Sequence, residues 1–156
     1  MKIVLSRVDE RLVHGQVIAS WSKLLEVKRI LLIDESLAKD SFMADVMTMA
    51  APTGVTVEVL SIDNAINKLN EDRSEENTML LFKTVTTAYE MLEHGYPLSD
   101  LDIGNIGSGP NRKPISKRVF MSKDEMTKVK AMCDKGVNVY LRMLSTDPEV
   151  DVRKLI

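Results

Sequence analysis

The chain predicts a three-layer α/β fold: an open, mostly parallel β-sheet of about six to seven strands flanked by helices. Three observations carry this. Short apolar runs bounded by turn residues recur roughly every 25 residues. Helical patterns fill most of the intervals between them, the rhythm of repeated βα units. The runs are continuously apolar and rich in β-branched residues, as strands covered on both faces require.

The predicted strands are residues 3–5, 30–33, 55–60, 79–82, 101–106, 119–121 and 137–141. After the first, Val17, Ile18, Trp21, Leu24 and Leu25 recur at helical spacing from Gln16 onward,. Ser36, Ser61 and Thr86 or Thr87 are read as caps of later helices. Ser122 followed by Glu125 spells a capping box for a helix running to about Lys135, which Gly136 stops,. Asp147-Pro148 reads as an N-cap before a proline, opening a terminal helix through Val150 and Leu155,. The charged stretch 70–77 reads as a solvated connection into the fourth strand.

At 156 residues the chain has room for one domain with a substantial core, residues 1–156,. A net charge of −2 leaves no electrostatic footprint for nucleic acid,. No apolar stretch approaches the length of a membrane span, and the N-terminus lacks a signal-peptide core, so a cytoplasmic chain is expected. The single Cys133 excludes an internal disulfide and reads as a packing residue,. Two histidines some 80 residues apart and one cysteine offer no metal-ligand spacing, so no metal is expected,. The ten methionines, scattered over helix and strand patterns, read as core filling,.

The segment Arg7-Val8-Asp9-Glu10-Arg11-Leu12-Val13-His14-Gly15-Gln16-Val17 is the best candidate for chemistry. It joins the first strand to the first helix, and in an open α/β sheet such loops line the ligand-binding edge. Arg7 and Arg11 put two cations beside a helix start whose free N–H groups favour an anion. Gly15 permits close approach of backbone to ligand. Neutral imidazole is a competent nucleophile near pH 7, so His14 can accept a phosphoryl group whose oxygens Arg11 and the loop N–H groups hold. Asp9 can orient the imidazole, brace an arginine or cap the helix. His94, followed by Gly95, reads instead as a helix-end residue.

Lys83-Thr84 follows the fourth strand directly and lies on the same sheet edge if the sheet is parallel, within reach of a shared anion. Asn105-Ile106-Gly107-Ser108-Gly109-Pro110-Asn111 is a strand end passing into a turn or partner-binding loop,. It matches neither a dinucleotide fingerprint nor a P-loop nor a nucleophile elbow, so no cofactor is expected.

With these residues in place, the chain resembles the enzyme IIB component of the mannose, fructose and sorbose family of the bacterial sugar phosphotransferase system. The resemblance rests on Arg7, Asp9, Arg11-Leu12-Val13 and His14-Gly15-Gln16-Val17, the family's signature around its phosphorylated histidine. Ala51-Pro52-Thr53-Gly54-Val55, Asn105-Ile106-Gly107 and Ser145-Thr146-Asp147-Pro148 extend it over nearly the whole chain. The chain departs from the family pattern at Val85, where proline is common, and in Gly107-Ser108-Gly109-Pro110. The resemblance implies a phosphohistidine at His14, formed on Nδ1. Arg11 and Asp9 would assist, and Arg7, Gly15, Gln16, Lys83 and Thr84 would surround the phosphate. It further implies a phosphorylated IIA domain as donor, membrane IIC and IID subunits as partners at the inner face of the membrane, and a sugar as acceptor. Members commonly pair, so a homodimer is a further option.

A second reading, from another class, is a non-catalytic anion-binding or regulatory module using the same loop. A receiver-like domain phosphorylated on aspartate fits less well, because the third predicted strand ends at Leu60-Ser61 with no acceptor aspartate.

Overall fold

The computed structural model describes residues 1–156. The chain opens with β1 (Lys2–Asp9), α1 (Gly15–Leu24), β2 (Arg29–Ile33), α2 (Glu35–Ala38), α3 (Ser41–Met49) and β3 (Thr56–Leu60). It continues through α4 (Ile62–Glu71), β4 (Asn77–Phe82), α5 (Val85–Glu93), β5 (Asp100–Asn105), β6 (Lys113–Pro114) and β7 (Phe120–Met121). α6 (Lys123–Asp134), β8 (Asn138–Leu141), β9 (Val150–Asp151) and a 3-10 turn over Val152–Lys154 complete it.

Seven strands form one sheet in the order β3-β2-β4-β1-β5-β8-β9, parallel except for β9. Alternate residues face opposite layers. Ile30 and Leu32 join α1 to α3 in a cluster of 12 buried residues. Leu31 and Ile33 join α4, α5 and α6 in a cluster of 23. This two-sided burial is why the strands read as unbroken apolar runs. β1 lies between β4 and β5, so the connections leaving β1 and β4 diverge to opposite sides of it. Ligands of open α/β sheets bind at the carboxyl end of such a switch point, and the His14 loop occupies it here.

The expected α/β sheet stands, with four corrections. β1 is eight residues long because Arg7 and Asp9, polar in sequence, are buried within it. Residues 119–121 stay outside the main sheet: β7 pairs antiparallel with β6, and Val119 forms a single bridge to Ile106. The terminal helix expected from Asp147 is absent. The Asp147 carboxylate accepts from the N–H of Leu144 at 2.9 Å and closes a turn, after which Val150 pairs with Leu141 as β9. The connection 70–77 is tied down as well as solvated, since Asp72 and Glu76 both pair with Arg29.

Caps follow local chemistry. Ser61 caps α4 and the Ser122–Glu125 capping box opens α6, as the sequence suggests,. α2 and α3 are capped by Asp34 and Asp40 rather than Ser36, and α5 by Thr84 rather than Thr86 or Thr87. Cys133 is buried in the larger cluster, and His94 ends α5 ahead of Gly95 at φ 91°.

Candidate functional site

Between β1 and α1 the backbone folds back on itself. The N–H of Leu12 donates to the Asp9 carbonyl at 3.0 Å, and Leu12 itself adopts φ 64°. A branched side chain rarely takes that conformation, and burial of Leu12 and Val13 in the smaller cluster holds it,. His14 follows, half-buried, with an extended backbone at the N-cap position of α1. Its Nδ1 lies 3.0 Å from the Leu12 carbonyl oxygen. A carbonyl only accepts, so this contact places the ring proton on Nδ1 and a lone pair on Nε2.

The helix that His14 opens differs from the others. In α2 to α6 the side chains of Asp34, Asp40, Ser61, Thr84 and Ser122 each accept from the first turn. α1 has no side-chain cap and no acidic residue in its first turn. Gly15, at φ 48°, and Gln16 are exposed there. Uncapped N–H groups at the positive end of a ten-residue helix are an anion cradle, and the imidazole stands at its rim,.

Arg11 and Asp9 come together earlier in the same loop. Asp9 is fully buried, and its Oδ1 accepts from the Arg11 backbone N–H at 3.0 Å and from Arg11 Nε at 3.3 Å. Arg11 is 36% exposed and keeps Nη1 free, so its charge faces the loop surface while Asp9 fixes its direction. Of the roles open to Asp9, bracing an arginine is the one seen.

Arg7 does not join the anion site. Its side chain is 0% exposed, and both Nη atoms are bonded inside the fold while the buried Nε has no partner. Nη1 donates to Asp102 Oδ2 at 2.5 Å and to the Arg142 carbonyl at 2.8 Å. Nη2 donates to Asp9 Oδ2 at 3.3 Å and to the Met143 carbonyl at 3.1 Å. The direct phosphate contact expected of Arg7 does not fit this geometry, because the side chain points across the sheet and a buried cation collects its counter-charges there. Arg7 instead braces Asp9, which braces Arg11. The Arg7 and Arg142 guanidinium groups each lie over the ring of Trp21 in α1, 5.6 and 5.5 Å from its centre, and Trp21 donates to the Met143 carbonyl at 3.0 Å. Burial pushes the Asp102 carboxyl up to about 7, against the opposing pull of Arg7. Burial and the charges of Asp102, Glu149 and Asp100 push the Tyr140 hydroxyl up to about 12.

Lys83 and Thr84 leave the carboxyl end of β4, whose neighbour in register is β1, with Val8 beside Phe82. Lys83 is exposed, whereas the Thr84 hydroxyl is committed to α5, accepting from the Thr87 N–H at 3.2 Å. The turn after β5 meets the loop through Glu10, whose Oε2 accepts from the Gly107 N–H at 2.6 Å. Sequence reasoning missed Asp102, Gly104, Trp21, Arg142 and Glu10. The available signal was Asp102 and Gly104 inside an apolar run, since a buried charge in a strand demands a partner and an interior glycine marks a close approach. No cluster of three or more His, Cys, Asp or Glu side chains fit to hold a metal ion occurs, and no helix is long and apolar enough to cross a membrane.

The family model described as "PTS system sorbose subfamily IIB component" matches residues 3–156. The sorbose-specific EIIB component of Lacticaseibacillus casei is 32% identical over 97% of this chain and 93% of its own. The mannose-specific EIIAB component of Escherichia coli (strain K12) is 29% identical over 100% of this chain, which spans 49% of that longer protein. The crystal structure of the IIBSor domain of the sorbose permease from Klebsiella pneumoniae superposes with a TM-score of 0.91 at 28% identity, over 99% of this chain and 95% of that one. The chain therefore belongs to the sorbose subfamily of IIB components of the sugar phosphotransferase system.

Proposed function

We propose that this chain is a phosphoryl carrier that accepts phosphate on His14 from a phosphorylated IIA domain and passes it to a sugar entering through membrane IIC and IID subunits. The observation that carries it is His14 at the mouth of the one α-helix lacking a side-chain cap, in the same loop as Arg11, whose Nη1 makes no hydrogen bond. A ring nitrogen's lone pair forms the new P–N bond while the bond from phosphorus to the donor breaks, its electron pair leaving with the donor. In the second step a sugar hydroxyl oxygen attacks phosphorus, the P–N bond breaks, the imidazole regains its lone pair, and the hydroxyl proton leaves to water. The protein's part is positioning and charge compensation: the α1 N–H groups and Arg11 hold the phosphoryl oxygens, and Lys83 adds a cation at the same edge. Gly15 and Gln16 supply first-turn N–H groups, and Asp9 and Arg7 keep Arg11 in place.

The IIA assignment draws support from the EIIAB relative, whose name joins the two components. The resulting chain works in the cytoplasm, at the inner face of the membrane when it meets IIC and IID. Incubation with a phosphorylated IIA protein should label the native chain and leave His14→Ala unlabelled. Equal labelling of both would remove His14 from the role, and binding of IIA without any covalent label would favour a regulatory module.

A further inference from the structure

The strand β5 delivers the chain to a second loop beside the His14 loop, and one carboxylate joins the two. Glu10 follows Asp9 directly, four residues before His14. Its Oε2 accepts from the Gly107 N–H at 2.6 Å and its Oε1 from Arg112 Nη1 at 3.3 Å. Arg112 also donates from Nη1 to the Gly107 carbonyl at 3.0 Å, and from Nε and Nη2 to the two Glu125 oxygens at 3.0 and 3.2 Å. Glu125 in turn accepts from the Ser122 N–H and closes the α6 capping box. A side chain at Gly107 would place its Cβ 2.7 Å from Glu10 Oε2 and push the carboxylate from its present position.

The β6–β7 hairpin is rooted in the larger cluster by Val119 and Met121 and tied to Ile106 through Arg118 and Phe120, while Glu10 and Arg112 hold the turn that leads into it. Lys113, Lys117 and Arg118 are exposed, and none of the three makes an ion pair. They stand at the same sheet edge as Arg11 and Lys83, with no carboxylate interleaved in residues 107–118. A protein that brings a phosphoryl group to His14 carries anionic charge toward that edge, and cations grouped on one side of an interface attract and orient an acidic rim.

We propose that Glu10 is a positioning residue that latches the 107–118 segment to the His14 loop, presenting Lys113, Lys117 and Arg118 as a docking surface for the acidic rim of the phosphoryl donor. This rests on the phosphoryl-carrier reading for the identity of the partner. Glu10 touches no reacting atom. Its effect is to fix where the basic hairpin stands relative to His14.

The test uses the full chain and a IIA protein of the mannose or sorbose type, in two measurements: phosphoryl transfer at varied donor concentration, and calorimetric binding of unphosphorylated IIA. Glu10→Ala should raise the donor KM and the IIA Kd about tenfold while kcat stays within about twofold. Glu10→Gln, which keeps an acceptor for Gly107 but loses the charge facing Arg112, should fall between. Lys117→Glu combined with Arg118→Glu should weaken binding similarly, and added salt should shrink the difference from the parent. A folded Glu10→Ala chain with unchanged KM and Kd overturns the proposal, as does a loss confined to kcat. If the parent chain binds IIA with this dependence yet never carries a covalent phosphate, the docking surface stands and the carrier reading falls.

Discussion

Gly104 and Arg7 occupy space that no side chain could share: a Cβ built on Gly104 would overlap the Arg7 guanidinium. The glycine in the middle of β5 is therefore the floor on which the buried arginine lies flat, and through Arg7 it supports Asp9 and Arg11. Gly104→Ala forces Arg7 to move within a fully buried setting, and such overpacking costs about 1–3 kcal/mol. Gly109→Ala, whose Cβ meets only the Arg112 side chain at 3.5 Å, is the control and should be near neutral. Urea unfolding of the two variants checks this. Equal midpoints would show that Arg7 can relocate freely.

Arg7 and Arg11 are equivalent by composition and opposite by burial. Removing Arg7 leaves Asp9 and Asp102 buried without their shared cation, so Arg7→Ala should lose about 3–5 kcal/mol of stability,. Arg11→Ala, at a side chain 36% exposed, should stay within about 0.5 kcal/mol of the parent while phosphoryl transfer slows,. Parallel denaturation and transfer assays separate the two roles, and a stable but inactive Arg7→Ala would return Arg7 to the phosphate.

The strands and the His14 loop were legible because their cause is local: unbroken apolar runs, and a histidine with cations at a helix start. What stayed hidden depends on contacts across the sheet. Asp102 lies 95 positions from the arginine that donates to it, and the carbonyls of Arg142 and Met143 are 135 and 136 positions from that same arginine. No spacing rule predicts such partners. Asp147-Pro148 misled for a different reason. The signal marks a turn as well as a helix start, and pairing of Val150 with Leu141 decided between them.

Asp102 should leave a signature in the pH dependence of stability. Its folded-state pKa of about 7 lies above the ordinary 3.8, so the folded chain holds a proton there that the unfolded chain releases. The carboxyl's Oδ1 makes no hydrogen bond, so only Oδ2 is held by Arg7. The corresponding stabilisation is full below about pH 4 and is lost as pH rises through 7. Asp102→Asn abolishes this term, so subtracting its urea midpoints from the parent's should give a difference that falls between pH 4.5 and 7.5. A flat or rising difference would mean that Arg7 keeps Asp102 ionised throughout.

Thr84 has a structural duty that must be separated from any contact with phosphate. Its hydroxyl caps α5, so Thr84→Ala should cost about 1 kcal/mol whether or not an anion binds,. Thr84→Ser preserves the cap and should match the parent in stability. Lys83→Ala, at an exposed side chain without an ion-pair partner, should be neutral in stability and slow transfer. Transfer that survives Lys83→Ala unchanged would take Lys83 out of the site.

The imidazole contact makes a statement about the resting state that can be read directly. Leu12, held at φ 64°, presents its carbonyl to His14 Nδ1, and only an N–H can satisfy a carbonyl,. Nitrogen-15 NMR of the neutral ring should therefore find the proton on Nδ1, with Nε2 as the unprotonated nitrogen. Phosphorylation at Nδ1 would require the ring first to leave Leu12, whereas phosphorylation at Nε2 would not. Long-range couplings in the phosphorylated chain identify the nitrogen used, and a resting tautomer protonated on Nε2 would rule out this arrangement of the ring.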